Sequence, residues 1–143
     1  MFPTLRFTLR SALLAALSAS AVSATAATVE VHVTGLAGGA KGKVAVAVCD
    51  REHFLKECTY HASLPAHEGE NVVSVPGVPA GTWAVLVYQD ENDNGKLDRN
   101  FIGIPSEPYG FSRDARSHFG PPSFEDAAIE VKADPTVANV KVH

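Results

Sequence analysis

Val29, Val31 and Val33 alternate with Glu30, His32 and Thr34, a period of two that lays the valines on one face of a strand and the polar groups on the other. The stretches Lys43 to Cys49, Asn71 to Val75, Thr82 to Gln89, Ala127 to Val131 and Val137 to Val142 read as further strands. Thr82 to Gln89 (TWAVLVYQ) is apolar on both faces, which predicts a central strand covered on both sides. Gly35, Gly38-Gly39, Gly42, Pro76-Gly77, Pro79-Ala80-Gly81 and Asp134-Pro135 punctuate these runs as turns. A 3.6-residue apolar period is missing throughout, and only Arg51 to Glu57, opening at Asp50, predicts a short helical turn. Strands without alternating helices predict an all-β domain, an antiparallel β-sandwich with Greek-key connections. A closed barrel fits the same pattern.

Asn100 to Phe124 (NFIGIPSEPYGFSRDARSHFGPPSF) interrupts this economy with about 25 residues that predict neither strand nor helix. Long irregular loops in compact domains are either functional or disordered. Phe101, Tyr109, Phe111, Phe119 and Phe124 supply five of the nine aromatic residues that follow Ala26, and Pro105, Pro108, Pro121 and Pro122 restrict the backbone, so the loop is expected to be ordered. Two readings stay open. Either its rings cover one end of the sandwich, or Tyr109, Phe111 and Phe119 are exposed as a binding surface.

The chain opens with Arg6 and Arg10, a short apolar run from Ser11 to Val22, and the small residues Ala24-Thr25-Ala26. That order predicts a cleaved export signal over residues 1–26 and one mature domain over 27–143. The run is roughly 12 residues against the ~20 that spanning a bilayer requires, and no later stretch is long enough. Without the two arginines the balance is 10 basic against 16 acidic residues, a net charge of −6. An acidic chain without a cluster of basic residues and aromatics lacks a nucleic-acid footprint. A periplasmic or secreted location also decides the fate of Cys49 and Cys58, since an oxidising compartment keeps paired thiols as a disulfide. His53, His61 and His67 lack metal-ligand spacing and are expected on a solvated loop.

Directly after the apolar strand, Asp90-Glu91-Asn92-Asp93-Asn94-Gly95-Lys96-Leu97-Asp98 matches D-x-[DN]-x-[DN]-G-x-x-D. Calcium takes six to eight oxygens, and side chains at alternate residues with a glycine turn at the sixth place can supply them from a short loop. The expected donors are the side chains of Asp90, Asn92, Asn94 and Asp98 and the backbone carbonyl of Lys96. Phe101 stands where an EF-hand places its bidentate Glu, and a strand precedes the loop, so this is half of such a motif. Glu107 is the first candidate to complete the shell, then Glu91 or Asp93, with water otherwise. The affinity expected of so few carboxylates is that of extracellular modules, about 10⁻⁴ to 10⁻³ M. Asn, Asp and Gly also build metal-free hairpin turns, and that alternative stays open.

Pro79 to Val85, Asp90 to Asp98, Gly103 to Ser112 and Gly120 to Ala127 resemble a family of bacterial exported proteins, domain of unknown function 2141. The resemblance implies an immunoglobulin-like or transthyretin-like sandwich and carries over no catalytic residues. Hydroxyisourate hydrolase, a transthyretin-like enzyme, ends in Tyr-Arg-Gly-Ser, whereas this chain ends Val140-Lys141-Val142-His143. The sequence offers no nucleophile with a base. The expectation is a non-enzymatic, monomeric, calcium-stabilised binding module for an envelope protein or glycan. Its alternatives are a structural accessory domain without metal, and a hydrolase that uses Asp90 and Glu107.

Overall fold

A computed structural model describes residues 25–132 and 135–143. The expected leader lies outside the described residues save for Thr25 and Ala26, and so does Asp134 of the Asp134-Pro135 turn. In chain order the strands are β1 (Ala26–Thr34), β2 (Lys43–Cys49), β3 (Tyr60–Pro65), β4 (Asn71–Pro79), β5 (Gly81–Asp90), β6 (Tyr109–Phe111), β7 (Ala128–Val131) and β8 (Thr136–Lys141). A 3-10 turn at Ser112–Asp114 and a four-residue helix α1 (Phe124–Ala127) are the helical pieces. The Arg51 to Glu57 stretch is a run of turns, opened as expected by Asp50, whose carboxylate accepts from the backbone N–H of His53 at 2.8 Å.

The strands form two sheets, as the alternation predicts. One has the order β4-β1-β8, the other β3-β2-β5-β6, with β7 also on β5. All pairings are antiparallel except β1 with β8, which run parallel with Val31 opposite Ala138. The chain between β1 and β8 is long enough to return β8 in either direction, so no hairpin forces the antiparallel choice. Between the sheets lies a core made largely of valine: Val29, Val31 and Val33 from β1, Val44, Val46 and Val48 from β2, Val73 and Val75 from β4, and Val85 and Val87 from β5. β-branched side chains lose little freedom in extended backbone and pack well on a pleated face.

β5 is central, as its double-sided apolarity predicts. β2 lines one edge over its length; on the other edge β7 pairs with Gly81 to Ala84 and β6 with Leu86 to Tyr88. Its outer face is covered by a second cluster of Ala84, Phe111, Phe124 and Ala127, with Phe54, Leu86 and Tyr109 packed against it. The segment after Asn100 is ordered, as expected, but it carries regular elements where the sequence predicts neither strand nor helix. It folds back on β5 as β6, the 3-10 turn and α1. Ser112 is buried at the junction; its hydroxyl donates to the Ala127 carbonyl and accepts from the Val85 N–H. Ser123 and Asp126 form a capping box at the start of α1.

The predicted disulfide joins Cys49 and Cys58, with Cα atoms 5.0 Å apart. It closes the turn that carries Phe54 to the second cluster, where its ring meets Phe111 and Phe124 at centroid distances of 5.9 and 5.8 Å. At one corner the sheets are joined by backbone bonds: Tyr109 N–H donates to the His143 carbonyl and His143 N–H to that of Tyr109. The expected barrel alternative is realised only as this local bridge.

Candidate metal-binding loop

Asp90 is the last residue of β5 and follows the parity of its outer face, yet it is 2% exposed. The loop that leaves it curls over its carboxylate: Asn94 N–H donates to Oδ1 at 3.0 Å and Gly95 N–H to Oδ2 at 2.8 Å. Asp93 and Gly95 have φ of 55° and 79°, and this left-handed backbone is what points successive N–H groups inward. Asn and Asp tolerate that region better than other residues with a Cβ, and glycine enters it freely.

Glu107, 7% exposed, reaches the same loop from the far side of the Asn100 turn. Its two oxygens accept from Glu91 N–H and Asp98 N–H, both at 3.0 Å, clamping the two arms of the loop. Asp98 completes the network. Its carboxylate accepts from the Asn92 amide at 2.6 Å and from the Asn94 amide at 2.7 and 2.9 Å, and these bonds, Asn94 first, hold its pKa below the ordinary carboxylate value. Lys96 N–H donates to Asn94 Oδ1 at 3.1 Å. Asp90, Asn92, Asn94, Lys96, Asp98 and Glu107 are thus brought into one hydrogen-bonded unit.

The remaining donor candidates diverge. Asp93 pairs with Lys43 on β2 at 2.9 Å, and Glu91 contributes its N–H to the clamp while its side chain stays exposed. Among the described residues none of Asp90, Asp98 and Glu107 is in an ion pair. Burial, followed by the negative charges of Asp90, Glu107 and Asp98, raises the pKa of the adjacent Tyr88 phenol. The negative potential is concentrated at this end of β5. Among the described residues no three His, Cys, Asp or Glu side chains close into a cage of their own, so an ion here would draw on amide, backbone or water oxygens as well.

The oxygen chemistry fits a hard cation in part. Each carboxylate oxygen of Asp90 and Glu107 keeps a second lone pair beyond the bond it accepts. The Asn92 amide and the Asp98 carboxylate, 2.6 Å apart, would have to separate, and the amide to turn over, before a cation of Ca–O distance about 2.3 to 2.6 Å could be held by both oxygens.

The expected surface of Tyr109, Phe111 and Phe119 is corrected in part. Phe111 is buried at 6% exposure because β6 turns its ring inward against Phe54, and Tyr109 is half-buried; only Phe119, 95% exposed, stands in solvent. Tyr109 lines a cleft of about 190 Å³ with Asp114, Arg116, Ser117, Lys141 and His143, where Arg116 and, secondarily, His143 hold the Asp114 pKa below its ordinary value. Sequence reasoning overlooked this cleft, since it joins the 109–117 segment to the end of β8, which only the fold brings together. It also overlooked Phe101, Ile102 and Ile104, exposed at 99%, 64% and 54%. His53 bonds Asp50 at 2.8 Å, His61 lies on β3, and His67 is exposed in the turn before β4. No helix among the described residues is long and apolar enough to cross a membrane.

Neither a curated protein nor a solved structure matches the chain. A sequence profile for uncharacterized proteins conserved in bacteria, domain of unknown function 2141, matches residues 31–139, a span that runs from β1 to β8 and contains the whole loop. The chain belongs to that family.

Proposed function

We propose that the chain is a non-enzymatic module of the bacterial cell envelope whose Asp90 to Asp98 loop takes up a calcium ion. The ion stiffens the segment from Asn100 to Phe124, which meets an envelope protein or glycan. The observation that carries this reading is the convergence of Asp90, Asn92, Asn94, Asp98 and Glu107 on one network whose three carboxylates, among the described residues, form no direct ion pair. A buried carboxylate is stable when hydrogen-bonded or charge-matched. Backbone N–H groups supply the first here, and a divalent cation would supply the second.

A metal-free clasp is the second reading, favoured by the amide bonds that already satisfy Asp98. Thermal unfolding in about 10 mM calcium and in chelator separates the two. With a Kd of about 10⁻³ to 10⁻⁴ M, the native state gains roughly 1.4 to 2.7 kcal/mol, a rise of several degrees in the midpoint. Asp98→Ala abolishes the difference. An identical midpoint in both buffers leaves only the clasp.

A further inference from the structure

We infer that Asn94 modifies itself: its side-chain amide cyclises onto the Gly95 nitrogen, is hydrolysed to a carboxylate, and the clasp to Asp98 opens. Of the five asparagines in the chain only Asn94 precedes a glycine; Val72, Asp93, Phe101 and Val140 follow the others. A side chain on the following residue crowds the approach of that residue's own nitrogen to the asparagine Cγ, and Gly95 has none. The space around Gly95 is open as well, since a Cβ built on it would meet nothing within 4 Å. Asn94 is exposed, so water reaches it.

Hydrogen bonds around the pair prepare it for reaction. Lys96 N–H donates to Asn94 Oδ1 at 3.1 Å, and the ring that this bond closes encloses the Gly95 nitrogen, so the amide is held folded along the chain toward its nucleophile. The same N–H stands where negative charge develops on Oδ1 as Cγ becomes tetrahedral. Gly95 N–H donates to Asp90 Oδ2 at 2.8 Å, a bond to an ionised acceptor that draws electron density onto the nitrogen. The Asn94 amide nitrogen donates to both Asp98 oxygens, at 2.7 and 2.9 Å, which sets an anion beside the group that must leave protonated. In the reaction the Gly95 nitrogen gives its proton to hydroxide and bonds to Cγ. The carboxamide nitrogen takes a proton from water, its bond to Cγ breaks, and ammonia departs from a succinimide. Water then opens the ring at either carbonyl, leaving an aspartyl or an isoaspartyl residue. The sum consumes one amide and one water and forms one carboxylate and one ammonium ion, with no oxidant, reductant or metal. The product sets a carboxylate against Asp98 where N–H donors had been, and the two anions repel.

The test keeps the purified full chain at neutral pH in chelator and follows every asparagine by peptide mapping, mass spectrometry and enzymatic methylation of isoaspartyl groups. Working in chelator keeps the outcome independent of the calcium reading. The mass gain of NH₂ replaced by OH should accumulate at Asn94 ahead of Asn71, Asn92, Asn100 and Asn139. It should also accumulate several-fold faster than in the same chain unfolded in guanidinium chloride, because only the fold supplies the bonds from Lys96 and to Asp90 and Asp98. Asp98→Asn, which keeps the size of the side chain and removes its charge, should slow the conversion several-fold. Asn94→Asp, which installs the product directly, should lower the thermal midpoint in chelator by a few degrees. An amide at Asn94 that survives as long as the others overturns the inference. So does conversion in the unfolded chain as fast as in the folded one, which would make it a property of the Asn-Gly pair alone, and so does an unmoved midpoint for Asn94→Asp.

Discussion

Gln89 shows how one polar side chain can organise a loop distant in sequence. It is the last inward-facing residue of β5, 1% exposed, and its amide accepts from Ala37 N–H at 2.9 Å and donates to the carbonyls of Ala37 and Lys41, each at 3.0 Å. Gln89→Leu keeps the bulk but leaves three backbone groups without partners. The expected loss is about 2 to 4 kcal/mol, read from the urea midpoint. Gly42 in the same loop has φ 72°, and a Cβ there would lie 1.9 Å from the Asp90 carbonyl oxygen. Gly42→Ala therefore strains the backbone and pushes apart the base of the Asp90 to Asp98 loop. His32 belongs to the opposite sheet, where Glu30 at 2.7 Å and Glu70 at 3.1 Å flank its ring. Hydrogen bonds to these two carboxylates, Glu30 first, raise its pKa above 6.5. A raised folded-state pKa stabilises fully below the unfolded value and is lost as pH rises through the folded one. The stability gap between the wild type and His32→Gln should thus be a few tenths of a kcal/mol, as for exposed ion pairs, below pH about 6.5. It should close on the alkaline side of the raised value, as urea melts across that range would show.

At the scale of elements, the disulfide turn and the segment after Asn100 support each other through Phe54. Cys49→Ser with Cys58→Ser releases a ten-residue ring, an expected cost of about 2.5 to 3 kcal/mol in the chain-entropy treatment. Phe54→Ala, which leaves the bridge intact, should lose about 2 to 3 kcal/mol, less than a fully buried phenylalanine because the ring is half-exposed. Both are measurable by chemical denaturation. The elements legible in the sequence are those whose apolar residues are large and regularly spaced: β2 has the bounds its pattern predicts, and β5 sits at the centre as its two apolar faces require. β3 was hidden because its inward positions are Tyr60, Ala62 and Leu64 while His61, Ser63 and Pro65 face out. A weak alternation ending in proline reads as loop, although proline is tolerated at the edge strand that β3 is. β6 is three residues long and derives its conformation from pairing with β5, which no local pattern reports. α1 did leave a signal in Ser123 and Asp126, a capping box too short to show helical periodicity. The Asp90 to Asp98 loop was legible as a tight turn from its Asp, Asn and Gly residues. Its closure by Glu107 was anticipated, but through backbone N–H groups rather than as a free ligand.

In the whole molecule the two sheets meet at the corner where β6 and the end of β8 exchange backbone bonds through Tyr109 and His143. Gly110 makes that approach possible: a Cβ on it would lie 2.3 Å from the Lys141 carbonyl oxygen. Gly110→Ala is expected to cost about 1 to 3 kcal/mol through overpacking and to increase amide exchange over residues 136–143 ahead of the core. β1 lies between β4 and β8, so one edge of the earliest described strand stays unpaired until the last of them has arrived. Pairing across so great a sequence separation is slow to form. A ribosome that has delivered everything up to Val131 still carries a chain with an open seam along β1. Until β8 is delivered that sheet stays unfinished on one side, and the domain passes through an interval in which half of its fold is held by a single neighbour.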